Sequence, residues 1–192
     1  MFPTTVWTTI REAGESGREA LEAFATAYRG PVLRYLERRG FEPNEAEDVC
    51  QEVFLRLLRS ELLSRADARY GRFRSLLVAV VHNTIGDRLR KRRDATDAEL
   101  EPVYSDPDFD REWVLELVER ALKRLREEGS PYYEVLRGHL DGEKQDRNKL
   151  WIARGKLRSL MRHEVASTCS SPRAVEDELA YLSTYLDSPE KR

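Results

Sequence analysis

Between Ala68 and Ser75 the chain reads ARYGRFRS, so Arg69, Tyr70, Arg72, Phe73 and Arg74 fall within six residues. Two aromatic rings among three guanidiniums are the materials for holding an unpaired nucleic-acid strand. Rings stack on bared bases, at about 1 to 3 kcal/mol per base, and cations meet phosphates. The other reading makes Tyr70 and Phe73 core residues flanked by solvated arginines, and the sequence alone leaves both open. Downstream, RLRKRR places Arg88, Arg90, Lys91, Arg92 and Arg93 in one run of six. Against a duplex each phosphate contact would release counterions and make binding steeply salt-dependent. A charged helix end is also an ordinary solvated feature. Asn83, in the helix feeding that run, can hydrogen-bond a base edge, although a helical asparagine facing water is the commoner case.

A second basic element lies near the C-terminus. On a helix from Arg147 to about Ala166, with 100° per residue, Arg147, Trp151, Arg154, Arg158 and Arg162 share an arc of about 80°. Leu150, Ala153, Leu157, Leu160 and Met161 take another arc of about 100°, the width of a core-facing stripe. Guanidiniums along one face suit DNA, with phosphate contacts fixing position. A solvated face, or one paired with the chain's own acids, is the bland alternative. Opposite in sign, Glu45, Glu47, Asp48 and Glu52 crowd the N-terminus of the helix that carries AEDVCQEVFLRLL. One helix offers only one side of a metal cage, so dipole compensation or partner docking is simpler.

Catalysis finds little footing. His82, His139 and His163 are scattered, no Cys or His pair has ligand spacing, and no glycine loop would cradle a phosphate. No catalytic residue, metal, cofactor or small-molecule substrate is expected, and the chain is read as not an enzyme.

Apolar residues recur at three and four residue intervals almost throughout, which predicts an all-α chain. Ser16–Arg29 and Pro31–Arg39 read as two helices broken at Gly30-Pro31, with Gly40 as a left-handed stop. Asn44 and Glu47 form an N-x-x-E capping box opening a helix that buries Val49, Val53, Phe54, Leu57 and Leu58. A polar loop from about Ser64 leads to a helix from about Arg72, with Leu76, Leu77, Val80, Val81, Thr84 and Leu89 on or near its inner face. Asp94 to Asp110 lacks periodicity and reads as a solvated linker. Beyond it come a helix carrying Trp113, Leu117, Ala121, Leu122 and Leu125, a short one capped by Ser130-Pro131, the basic helix, and a last one opened by Ser171-Pro172. Two small helical domains joined by an acidic linker are therefore expected, with boundaries at 1–93, 94–109 and 110–192.

Charged residues make up 35% of the 192, yet the formal net charge is only −2. Its distribution carries the meaning. The RLRKRR run is followed, from Asp94 to Glu112, by eight acids against one arginine. Cys50 and Cys169 are too few and too far apart for a disulfide framework. Without a secretory pattern or an apolar span, a cytoplasmic location with no membrane contact is expected.

YRGPVLRYLERRG, then AEDVCQEVFLRLL, then GRFRSLLVAVVHNTIGDRLRKRR resembles, in order and spacing, the second conserved domain of bacterial RNA polymerase sigma factors of the sigma-70 superfamily, extracytoplasmic-function type. DREWVLELVERALKRLRE, the basic helix and the terminal EDELAYL helix are similar to the fourth domain of a subgroup. The resemblance implies that Asp48, Gln51, Glu52 and Leu55 dock on the clamp coiled coil of the largest core-polymerase subunit, and leaves open a contact to its flap and an anti-sigma partner. It implies a pocket, built from the loop and the helix bearing Asn83, for a base flipped from the promoter −10 element. Arg69, Tyr70, Arg72, Phe73 and Arg74 would hold the opened strand. Arg88, Arg90, Lys91, Arg92 and Arg93 would bind the neighbouring backbone. Arg147, Trp151, Arg154, Arg158 and Arg162 would meet the −35 element or its backbone. Only DGEKQDRN separates Leu140 from Lys149, shorter than the usual helix-turn-helix spacing. A sigma factor is the leading expectation. A sigma-like protein that binds polymerase or a regulator without initiating transcription is the second, and a free-standing helix-turn-helix repressor the third.

Overall fold

A computed structural model describes residues 17–59, 73–93 and 105–186, and every element formed by these residues is a helix. In chain order they are α1 (Gly17–Arg38), α2 (Pro43–Arg59), α3 (Phe73–Arg93), α4 (Pro107–Glu127), α5 (Pro131–Leu140), α6 (Arg147–Thr168) and α7 (Pro172–Leu186).

Local signals set most boundaries. Gly40, at φ +87°, turns the chain out of α1, and the Phe41 amide donates back to the Leu36 carbonyl. Ser130 and Asp146 cap α5 and α6 through the amides of Tyr132 and Lys149. Proline occupies the first position of α2, α4, α5 and α7, where its missing N–H has no helical partner to lose.

Several expectations need correction. Gly30-Pro31 does not divide the first helix, because α1 runs through Pro31. The packing of α4 explains it: just past Pro31, Arg34 bonds both Glu112 and Glu116 of α4 at 3.0 Å and holds this stretch in register. Tertiary contact outweighs the local break. Asn44 lies inside α2, which begins at Pro43, and Glu47 pairs with Arg29 instead of closing a capping box. Leu89 is exposed, not inward-facing.

The main core crosses the sequence from end to end. Val32, Tyr35 and Leu36 of α1, Val49, Val53 and Leu57 of α2, and Phe73, Leu77 and Val81 of α3 belong to the same cluster as Phe109, Trp113 and Leu117 of α4. Val165 of α6 and Val175 and Leu182 of α7 complete it. The Trp113 ring stacks on Tyr28 at 4.9 Å, and Arg120 covers Tyr28 at 4.6 Å. A smaller cluster of Leu125, Leu136 and Ala153 holds α4, α5 and α6 together. Among the described residues no helix is long and apolar enough to cross a membrane.

The segment read as a solvated linker also needs correction where it is described. Asp106 is 6% exposed and Asp110 fully buried. Asp106 caps α4 by accepting the amides of Asp108 and Phe109 through one oxygen. Its other oxygen accepts the Tyr35 hydroxyl at 2.8 Å and Arg39 at 2.7 Å, with His82 Nε2 at 2.9 Å. One carboxylate thus fastens α4 to α1 and α3. Residues 94–104 lie outside the described part of the chain.

Burial alone would raise the Asp106 pKa, but hydrogen bonds from Tyr35, the two amides and His82 outweigh it and hold the carboxyl below its ordinary 3.8. A depressed acid contributes stability that is present above its unfolded pKa and disappears as pH falls through the folded value. Asp106→Asn should therefore lower the urea midpoint at neutral pH and make its decline below about pH 4 shallower than in the wild type. Parallel acid limbs in the two proteins would rule out this role.

Candidate functional site

The acidic face of α2 is open to solvent. Asp48 and Gln51 are exposed, and Leu55 is 40% exposed although it is a large apolar side chain. Spaced by three and four residues, they share one helix surface. Val49, Cys50, Val53 and Leu57 face the core, so the helix divides cleanly into a packed and a free side. Burial pushes the Cys50 thiol up to about 12, which leaves it an inert core residue.

Glu52 is half-buried and committed within the chain. It accepts Arg56 at 2.6 Å and Arg88 at 3.2 Å. Burial would raise its pKa, but these two guanidiniums hold it below the usual glutamate value. Arg56 and Arg90 both reach Asp87, which completes a charged seam between α2 and α3. Two residues expected to face different ligands, Glu52 and Arg88, are therefore bound to each other.

On α3 the placements diverge. Asn83 is exposed, and Arg88 and Arg90 are half-buried in the seam just described. Lys91, Arg92 and Arg93 form the last turn of α3, but their side chains lie outside the described set, as do Arg69, Tyr70 and Arg72 altogether. Phe73 and Arg74 are described, and neither is where a strand would meet it. Phe73 is fully buried, 5.7 Å from the Tyr28 ring. Arg74 is 2% exposed.

Arg74 sits at the centre of a buried charge cluster that sequence reasoning missed. Its Nε and Nη2 donate to the two Glu178 oxygens at 2.6 and 3.2 Å, and Nη1 donates to Asp110. Tyr181 lies under the guanidinium at 4.9 Å and donates its hydroxyl to Asp110 at 2.5 Å. Ser105 donates to the same carboxylate at 3.1 Å. Desolvation works against the buried guanidinium, but the two carboxylates outweigh it and hold its pKa above the ordinary arginine value. Helices α3, α4 and α7 are joined at this point, with Asp110 separated from Arg74 by 36 residues and Glu178 by 104.

The basic helix presents its stripe as expected from the wheel. Arg147, Trp151, Arg154, Arg158 and Arg162 are all exposed, and Trp151 is 78% exposed. Ala153 and Met161 are buried in the adjoining arc, with Leu150, Leu157 and Leu160 half-buried. Arg154 donates to His139 at 2.9 Å, and Arg162 pairs with Glu176. Among the described residues, Arg147 and Arg158 have no protein partner. A six-residue turn, with Gly142 at φ +84°, connects α5 to α6.

No group of three or more His, Cys, Asp or Glu side chains that could hold a metal ion occurs among the described residues. The surfaces on offer are an acidic-apolar helix face and a cationic-aromatic one, suited to macromolecular contact. No curated protein and no solved structure matches the chain. Residues 24–95, which span most of α1, all of α2 and α3 and the arginine run, match the family model of Sigma-70 region 2. The similarity is confined to this segment, and helices α4 to α7 lie outside it.

Proposed function

We propose that the chain is a sigma factor of the extracytoplasmic-function type, a non-catalytic cytoplasmic subunit that joins core RNA polymerase, recognises a promoter and promotes melting of its −10 element. The open face of α2 carries this reading: Asp48, Gln51 and Leu55 stand exposed inside the segment that matches Sigma-70 region 2. Carboxylate and amide around one apolar side chain suit an electrostatically steered contact with a basic surface, here the clamp of the largest subunit. Residues 1–93 take this contact and the opened strand. Residues 110–192 bring α6 to duplex upstream, without a helix-turn-helix of ordinary spacing. The polymerase flap and an anti-sigma factor are the further partners this arrangement admits.

Because Phe73 and Arg74 are enclosed, strand capture falls to Asn83, the RLRKRR run and the loop before α3. Asp48→Arg combined with Leu55→Ala should weaken binding to core polymerase by about tenfold or more, the equivalent of about 1.4 kcal/mol. Asn83→Ala should bind core polymerase normally and reduce permanganate reactivity of promoter thymines in the complex. Pull-down and footprinting of the same preparations read both effects. Normal polymerase binding by the α2 double variant would remove the basis for the assignment. The burial of Phe73 and Arg74 also favours a second reading, in which the chain binds polymerase or a regulator without initiating transcription; polymerase binding with no permanganate reactivity would select it.

A further inference from the structure

Glycine inside a helix weakens it relative to alanine, so it persists where something needs the space. Two helical glycines here have internal reasons. A Cβ at Gly30 would meet the tip of Glu116 of α4, and one at Gly138 would displace the flexible ends of Glu143 and Gln145 from the following turn. Gly155, in the middle of α6, has none: a Cβ there would meet nothing within 4 Å.

Its surroundings are informative. Trp151 lies four residues before it, Arg158 three after and Ser159 four after, which makes them its neighbours on the helix surface. All are exposed. The bare backbone at Gly155 is thus a gap one residue wide, bounded on one side by an indole 78% exposed and on the other by a guanidinium. From Arg147 to His163 the helix carries six Lys or Arg residues and no Asp or Glu. The Lys149 amide is capped by Asp146, but the side chains of Arg147, Lys149, Lys156 and Arg158 have no partner among the described residues. A narrow gap on a surface of one sign calls for a narrow polyanionic ridge, and the sugar-phosphate chain of a duplex has that shape and charge.

We propose that Gly155 is the point of closest approach between α6 and duplex DNA, with the sugar-phosphate chain seated against the bare helix between Trp151 and Arg158. This rests on the reading of α6 as the DNA-facing helix. A side chain at 155 would lift the duplex away from the flanking arginines. Stability and binding must therefore respond to substitution in opposite directions.

The test uses the full chain with a short labelled duplex of mixed sequence at low salt, and polyglutamate as a protein-like polyanion. Gly155→Ala should raise the melting temperature by about 2 °C, since it relieves an exposed helical glycine. It should weaken duplex binding about fivefold, and Gly155→Gln more, while polyglutamate binding stays unchanged. Arg158→Ala should weaken duplex binding and reduce the salt slope by about one without raising the melting temperature. Wild-type duplex binding by Gly155→Ala, alongside a loss in Arg158→Ala, overturns the close approach and leaves the DNA-facing reading intact. Wild-type binding by both variants overturns that reading as well. Equal losses toward duplex and polyglutamate, or an unchanged melting temperature in Gly155→Ala, also overturn the proposal.

Discussion

Arg74→Met should cost about 3 to 5 kcal/mol of stability, because it leaves the Asp110 and Glu178 carboxylates buried without their cation. Natural domains hold only about 5 to 15 kcal/mol, so the variant should lose much of its resistance to urea. Glu178→Gln should be milder: the amide keeps the shape and one acceptor, and Asp110 still balances the guanidinium. The combined change Arg74→Met, Asp110→Asn and Glu178→Leu should recover most of the loss, since replacing a buried ionic group wholesale by neutral side chains is often close to neutral. Recovery would separate a stranded charge from a simple packing defect. Urea midpoints read by circular dichroism check all three, and a single-variant loss below about 1 kcal/mol would show that water reaches the cluster.

Trp113→Ala should cost about as much, about 3 to 5 kcal/mol, for a different reason. Trp113 is 2% exposed and stacks on Tyr28, with Phe109 at 6.2 Å on the same side of α4. Truncation removes a large apolar surface and opens a cavity beside the Tyr28 and Phe109 rings. The residue belongs to the second half of the chain and Tyr28 to the first, so both halves should lose stability together. Amide exchange across α2 and α3 should accelerate as much as exchange in α4. Wild-type protection in α2 and α3 would mean that the halves fold independently despite their shared core.

Much of this architecture was legible in short stretches of sequence. The Val49, Val53, Phe54 and Leu57 stripe of α2, the Ser130-Pro131 and Ser171-Pro172 starts, and the division of α6 into a packed and a cationic face all follow from period and capping, while the Leu58 side chain lies outside the described residues. Phe73 could also have been placed. It precedes Leu76, Leu77, Val80 and Val81 by three, four, seven and eight residues, the spacing of a buried stripe, and all of them are in the core. The flanking Arg72 and Arg74 hide that period by giving the ring the company a stacking platform would have.

The polar interior was not legible, and the reason is physical. Asp106 and Asp110 sit in an acid-rich, aperiodic stretch, and nothing local distinguishes a carboxylate in water from one that has found a guanidinium far along the chain. Arg74 likewise reads as one more cation in ARYGRFRS. Only the crossing of α3, α4 and α7 turns these charges into a cluster. The continuity of α1 through Pro31 has the same origin, since Arg34 is held by Glu112 and Glu116 of another helix.

Among the described residues, the α2 face around Leu55 and the α6 face around Trp151 stay open once these charges are accounted for. Their opposite signs suit a protein partner and a nucleic acid respectively. The most direct test of that division mixes the purified full chain with bacterial core RNA polymerase and a pool of genomic promoter fragments and reads run-off transcripts. The account predicts transcripts from a discrete subset of fragments, lost with Asp48→Arg and Leu55→Ala together. Transcripts no different from those of core polymerase alone, with no complex formed between the chain and the enzyme, would contradict it.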